Sequence, residues 1–339
     1  MKKIISIFAI ILASVNCFGQ KGELIEHKAL SFYVSNESDT IDFIIVDTML
    51  NKKKPIFLWC QGSLPVPLFG EIEGYGNYFL GGGVSNFNYI EISRQYHLVI
   101  ISMPKTPLLA KKENLNNRLQ YIPDPAQPGK FSDAYIEANY LENYVNRALA
   151  VLAFLKQQNW VDHNRLVVAG HSQGTKVATK IATRDRDVTH LGLFAANPFG
   201  RIDQYIRQAR LDAQLGRISW EKADSIITGN YEFYKQANNE DSVRVNPGLK
   251  AWKTFSEPIY DDWLNLDMPI YLAYGTADIS SGLCDMVPLF FIEKGKENLT
   301  LKRYIGLEHN FFELTGNGHP DYEKGHWREI MDEFITWIK

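Results

Sequence analysis

The sequence predicts an α/β fold, a mostly parallel central sheet with helices on both faces. Three observations carry that prediction. Short unbroken apolar runs, such as Pro55-Ile56-Phe57-Leu58-Trp59-Cys60 and Leu166-Val167-Val168-Ala169, have strand length and lack in–out alternation, so both of their faces are buried. Helical periodicities stand between several of these runs, as crossover connections in a parallel sheet require. The 339 residues are 45% hydrophobic and 22% charged, a globular balance that excludes disorder and a many-span membrane protein.

The first segment reads as an export signal rather than as part of the fold. Met1-Lys2-Lys3 is followed by an apolar run over 4–15, too short to span a bilayer but suited to the middle of a signal peptide. Cleavage after Gly19 leaves Gln20 at the mature end, and the expected location is periplasmic or secreted. A lipid anchor on Cys17 and an uncut membrane anchor are the alternatives; Ser14 and Asn16 fit a lipobox poorly. The segment carries two lysines and no acid, so its loss takes the formal charge from −3 to −5. Neither value suits a nucleic-acid partner.

Two β-rich stretches follow, at 30–34 and 41–46, with a polar turn between them. The run at 55–60 is the next strand and 97–102 the one after. The intervening residues 70–83, rich in glycine and aromatics, read as a loop. Gly74-Tyr75-Gly76 within them is no dinucleotide fingerprint, because no helical pattern follows. Residues 105–130 read as a second loop, with Pro123, Pro125 and Pro128. One long helix is expected over 135–158, where Leu141, Val145, Ala148, Leu152 and Leu155 repeat at spacings of four and three. Strands at 165–169, 191–196, 268–274 and 299–304 and a closing helix over 323–338 complete the alternation.

Residues 200–267 break it. They contain no convincing strand but two helical patterns: Ile202, Tyr205, Ile206 and Ala209 fall on one face, and a second helix starts after Ser219. The expected organisation is therefore a signal at 1–19, a core formed by 20–199 and 268–339, and a helical cap inserted at 200–267. Cys60 and Cys284 read as small apolar core residues; a bridge between them stays open, because sequence does not give their separation.

The chemistry lies in three places. Gly170-His171-Ser172-Gln173-Gly174 is a G-x-S-x-G sequence between a predicted strand and a predicted helix. Side chains at 170 or 174 would collide with neighbouring backbone in so sharp a turn, while Ser172 is pushed out at the sheet edge. A serine hydroxyl needs a base, and the base needs an orienting acid. Asp278 follows the turn Gly275-Thr276-Ala277 after one strand, and His309 follows Gly306-Leu307-Glu308 after the last. Rival acids are weaker: the preceding strand ends in Ala196-Asn197-Pro198 without a carboxylate, Asp285 lies past the turn, and Glu308 points away. His171 reads as a packing residue, and His319 and His326 as surface residues. No HExxH or other metal-like spacing occurs, and no cofactor is expected.

These three features resemble the α/β-hydrolase superfamily over nearly all of the chain beyond the leader. The resemblance implies a Ser172–His309–Asp278 triad at the C-terminal edge of the sheet and a cap between the sixth and seventh strands, where 200–267 fall. It also implies two oxyanion donors. One is the backbone N–H of Gln173. The other comes from Gln61-Gly62-Ser63, which resembles the family's His-Gly-x segment with glutamine in place of histidine. Ser63 is the choice, with Gly62 and Leu64 left open.

The function expected is hydrolysis of a carboxylic ester, a lactone or bulky natural-product ester included, through an acyl-enzyme. Aromatics such as Phe69, Tyr78, Phe79, Phe87, Phe233 and Trp252 suggest a pocket for a small-molecule ester with an apolar portion. A proline-releasing serine peptidase is the nearest alternative, with Glu71, Glu73 or Glu232 as an acidic subsite. A non-catalytic binding protein on the same fold is the alternative of another class.

Overall fold

The structure, a computed structural model, describes residues 18–19, 23–25, 29–35, 39–46, 49–74 and 76–339. Most of the expected leader, with Cys17 and the Gln20 cleavage point, lies outside the described residues. Among those described, no helix is long and apolar enough to cross a membrane.

Eight principal strands form the central sheet: β1 (Ala29–Ser35), β2 (Thr40–Ile45), β3 (Lys54–Cys60), β4 (His97–Ile101), β5 (Val161–His171), β6 (His190–Phe194), β7 (Ile270–Gly275) and β8 (Leu299–Tyr304). Their order across the sheet is β1-β2-β4-β3-β5-β6-β7-β8. The strands from β3 to β8 run parallel, and β1 and β2 are antiparallel at one edge. Two short strands, Phe18–Gly19 and Glu23–Ile25, pair with β1.

The continuous apolar runs are explained by burial on both sides. Along β3, Ile56, Leu58 and Cys60 enter one core layer while Phe57 and Trp59 enter the other. Helix α1 (Tyr89–Gln95) covers the second layer. On the first, α2 (Asp133–Ala138) leads into α3 (Leu141–Leu155), which packs beside α4 (Gln173–Arg184). Cys60 and Cys284 are free and buried. Burial pushes the Cys60 thiol up to about 12, so it behaves as an apolar side chain.

Several expectations need correction. The helix expected over 135–158 breaks at Asn139-Tyr140, because Tyr140 is extended (φ −149°, ψ 150°). Its ring lies beneath the Lys250 ammonium, and Thr254 Oγ1 accepts from the freed Leu141 N–H at 3.1 Å. The two expected loops contribute a small second sheet: Phe69–Ile72 pairs antiparallel with Gly76–Phe79 and parallel with Leu109–Lys111. Its stability comes from Phe69 and Phe79, buried with ring centroids 5.4 Å apart.

The insertion holds five helices rather than two: α5 (Arg201–Gln214), α6 (Trp220–Ala237), α7 (Glu240–Val245), α8 (Leu249–Thr254) and α9 (Tyr260–Asn265). The start after Ser219 is as expected, since Ser219 Oγ caps α6 by accepting from Lys222 N–H at 3.2 Å. The buried face of α5 is Ile202, Ala209 and Ala213; Tyr205 is turned off it and 40% exposed. After α10 (Val287–Glu293), the chain ends in α11 (Trp327–Trp337). This last helix starts later than expected, because Pro320–Gly325 is drawn into a hairpin with Phe312–Leu314.

Candidate active site

The turn between β5 and α4 places Ser172 in a backbone conformation that side-chain-bearing residues rarely adopt, φ 54° and ψ −120°. Such geometry costs about 1–3 kcal/mol and persists only where the surroundings enforce it. Here two glycines enforce it. A Cβ at Gly170 would stand 2.3 Å from the carbonyl oxygen of Gly174, and one at Gly174 would stand 2.0 Å from that of Cys60. The Ser172 N–H donates to the Phe194 carbonyl at 2.9 Å, and Thr175 Oγ1 donates to the Ser172 carbonyl at 2.6 Å. The hydroxyl therefore projects above the C-terminal edge of the sheet.

Asp278 and His309 reach it from β7 and β8. The loops after these strands approach so closely that a Cβ at Gly275 would lie 2.1 Å from the Leu307 carbonyl oxygen. The consequence is a chain of contacts: Ser172 Oγ to His309 Nε2 at 2.8 Å, and His309 Nδ1 to Asp278 Oδ2 at 2.7 Å. The three residues separated by 106 and 31 positions in sequence thus meet in the order expected for nucleophile, base and acid.

Asp278 is 5% exposed, and its carboxylate is fully engaged. Oδ1 accepts from the Ser280 N–H at 2.8 Å and the Ser280 hydroxyl at 2.6 Å, and Oδ2 accepts from the Ser281 hydroxyl at 2.6 Å. Burial alone would raise its pKa. The hydrogen bond and charge of His309, helped by the two hydroxyls, outweigh burial and hold it down at about 2. Burial likewise disfavours a charged His309, but the hydrogen bond and charge of Asp278 prevail and raise its pKa.

Three residues of this site escaped the sequence reading or had too small a part in it. Ser280 Oγ also stands 3.0 Å from His309 Nδ1, so it braces both partners. Asp278-Ile279-Ser280-Ser281 carries the signal, since an aspartate commonly binds the N–H two residues on. Ser281, the fourth residue of that turn, was equally missed. His171 is more than packing: its ring lies against Trp327, and Nε2 stands 3.0 Å from the His309 carbonyl oxygen. Burial pushes its pKa down to about 3, so it is neutral and donates that bond.

The rival acids are occupied elsewhere. Asp285 accepts from the Tyr274 hydroxyl at 2.5 Å, and Glu308 accepts from the Asn310 and Phe312 N–H groups at 2.7 and 3.1 Å. His319 is exposed, and His326 lies 3.4 Å from Glu313. Gln61, in the place of the expected histidine, donates Nε2–H to the Ile101 carbonyl at 2.7 Å and so ties β3 to the end of β4.

A cavity of about 430 Å³ opens beside Ser172. Both expected oxyanion residues, Gln173 and Ser63, line it. Gln173 is the first residue of α4, where a backbone N–H has no acceptor within the helix and the helix dipole favours negative charge. Gly62 does not line the cavity, and Leu64 is an exposed residue at φ 85° whose carbonyl accepts from Val66 N–H.

The rest of the lining is mixed, apolar and polar together. Phe69, Phe79 and Phe87 are buried in packing around Trp59 and the second sheet, and Phe233 packs on Trp252. None of the aromatics expected to form the pocket lines the cavity, which is bounded by Lys176, Asn197, Arg201, Gln204 and Gln208 together with Tyr205, Phe255 and Ile279. The acidic residues considered for an amino-terminus subsite are also elsewhere. Glu71 and Glu73 line a separate hollow with Lys111 and Lys112, and Glu232 lies 3.7 Å from Lys235.

No family model matches this chain, and no curated protein matches it. Solved structures do. E-2-(acetamidomethylene)succinate hydrolase superposes with a TM-score of 0.51 at 12% identity, over 91% of this chain and 98% of that one. A candidate lipase from Acinetobacter baumannii AYE gives 0.50 at 11%, over 92% and 91%. A candidate dipeptidyl aminopeptidase IV from Bacteroides ovatus gives 0.52 at 12%, over 94% of this chain. The chain spans well under half of the peptidases it matches, 35% of that chain and 42% of Pyrococcus horikoshii acylaminoacyl peptidase. Strand order, parallel register and these superpositions agree: the chain has the α/β-hydrolase fold.

Proposed function

We propose that this protein is a serine hydrolase that cleaves a carboxylic ester through an acyl-enzyme. The observation that carries the reading is the 2.8 Å contact of Ser172 Oγ with His309 Nε2, backed by the 2.7 Å contact of Nδ1 with Asp278. Neutral His309 takes the hydroxyl proton as Oγ attacks the substrate carbonyl carbon. The backbone N–H groups of Gln173 and Ser63 receive the developing oxyanion. Collapse of the tetrahedral adduct expels the alkoxide, which leaves with the proton held on His309. Water then repeats the sequence on the acyl-enzyme, with His309 again the base, and releases the acid.

The helices over 201–265 act as a cap, since α5 supplies one wall of the cavity beside Ser172. The basic start and apolar run at the N-terminus support export with Gln20 as the first mature residue, which N-terminal sequencing of protein recovered outside the cytoplasm tests. For the chemistry, folded protein is incubated with a fluorophosphonate and the adduct located by mass spectrometry. A single adduct on Ser172, absent from His309→Ala, is expected. Folded protein that takes no label overturns the reading.

A further inference from the structure

Helix α5 runs past the nucleophile with Arg201, Gln204, Tyr205 and Gln208 directed into the same cavity as Ser172. Their spacing of three, four and seven makes them one face of the helix, adjoining the buried Ile202, Ala209 and Ala213. That face is polar and begins with a cation.

Arg201 is short of partners. Its guanidinium lies over the Trp252 ring at 4.8 Å, and among the described residues it makes no hydrogen bond and pairs with no carboxylate. A guanidinium offers five N–H donors in a fork that fits an oxyanion, and desolvating one without such a partner is costly. Lys176, one turn into α4 from Ser172, is 4% exposed and also lines the cavity. Its ammonium donates to the Glu257 backbone carbonyl at 2.5 Å and, among the described residues, forms no direct ion pair, the Asp203 and Glu257 carboxylates acting on it only at longer range.

Of the acids nearby, Glu257 is exposed and the other two are already engaged. Asp203 accepts from Arg207 Nε and Nη2 at 3.0 and 2.8 Å and from Asn197 Nδ2 at 2.9 Å. Asp278 is bound to His309. Arg207 is spent on Asp203 and on the carbonyls of Ile279 and Ser280. Two basic side chains therefore line the cavity without a direct ion pair among the described residues: Arg201, and Lys176, which burial pulls down to about 7 against the longer-range pull of the Asp203 and Glu257 carboxylates, beside a nucleophile whose substrate oxyanion is served by other groups.

We infer that the cavity takes an ester bearing a second, ionised oxyacid group, which Arg201 and Lys176 bind while Ser172 attacks the ester carbonyl. This rests on the serine-hydrolase reading and adds a substrate class to it. It also gives a physical reason for the polar side chains that stand among Tyr205, Phe255 and Ile279 in the lining: a carboxylate-bearing substrate needs donors at its far end. Gln204 and Gln208 stand on the same face to complete its hydrogen bonds.

The test compares charged and neutral esters of one shape, with the charge on either side of the scissile bond. One pair is p-nitrophenyl hemiglutarate and p-nitrophenyl valerate; the other is 4-acetoxybenzoate and 4-acetoxybenzamide. The expected result is a kcat/KM preference of about tenfold or more for the charged member of at least one pair, falling at least about fivefold in Arg201→Gln. A smaller preference, or one that the substitution leaves in place, overturns the inference while leaving the hydrolase reading intact. Lys176→Met is the second variant and decides in the same way where Arg201→Gln fails to fold. If no ester is turned over, the hydrolase reading falls, and calorimetric titration with glutarate judges the subsite alone. Saturable binding lost in Arg201→Gln supports it, and no binding overturns it.

Discussion

His171 Nε2 stands 3.0 Å from the carbonyl oxygen of His309, so the residue before Ser172 holds the loop that carries His309. The contact spans 138 positions of sequence and joins the end of β5 to the chain beyond β8. Two histidines at one site thus have opposite electrostatic fates. One is buried neutral, the other is kept ready for charge by a carboxylate.

That division of roles predicts the behaviour of His171→Phe. The ring contact with Trp327 survives in outline, but the bond to the His309 carbonyl is lost. A drop of about tenfold in kcat with KM nearly unchanged is expected, because a looser base costs transition-state stabilisation rather than binding. His171→Gln, which restores a donor, recovers part of it. Steady-state kinetics of the three proteins are the check, and equal kcat in all of them removes the positioning role.

Ser172 makes activity and stability part company. Ser172→Ala lowers kcat by a factor on the order of 10³ to 10⁶ and leaves the unfolding midpoint close to wild type. Ser172→Gly is equally inactive but more stable, by about 1 kcal/mol, since glycine accepts φ 54° without strain. Urea unfolding of the two variants measures the difference; a Gly variant less stable than the Ala variant contradicts the strain at this turn.

Gly174→Ala tests the close approach beneath the turn. Its new methyl group would meet the carbonyl oxygen of Cys60 at 2.0 Å, and backbone has no rotamer with which to yield. A loss of about 2–4 kcal/mol is expected, together with loss of fluorophosphonate labelling. Gly229→Ala, on the open side of α6 with nothing near the added atom, is the control and stays folded.

The pH dependence follows from the Asp278–His309 contact. His309 acts as a base when neutral and its pKa is raised above the ordinary 6.5, so kcat/KM on a neutral ester rises with pH through a midpoint above that value. Asp278→Asn removes the charge that favours the imidazolium. The midpoint then moves down, and kcat falls by about 10⁴ through a misoriented ring. Stability carries a matching sign. The folded pKa of Asp278, about 2, lies below its ordinary 3.8, so its contribution is present above 3.8 and lost as pH falls through about 2. Acid unfolding of wild type and Asp278→Asn should converge toward pH 2 and separate above pH 4. A pH–rate midpoint that Asp278→Asn leaves in place contradicts the coupling.

What the sequence determined by itself is what short stretches of chain determine. Leu166-Val167-Val168-Ala169 is a doubly buried strand in any context that hides it, and two glycines around Ser172 permit one sharp turn and little else. Asp278 and His309 were legible because each follows a strand, and parallel strands deliver their C-terminal ends to one edge of the sheet. Tertiary structure decided the rest. The break at Tyr140 depends on Lys250 and Thr254, more than a hundred residues away, and Phe87 is turned into the packing by the rings of Trp59 and Trp327, as Phe79 is by those of Phe69 and Tyr89. Which face of α5 is presented to Ser172, and hence that Arg201 and Lys176 share a cavity, is set by how a helix docks. Periodicity gives a helix its faces; only packing against the rest of the molecule chooses the one that meets the substrate.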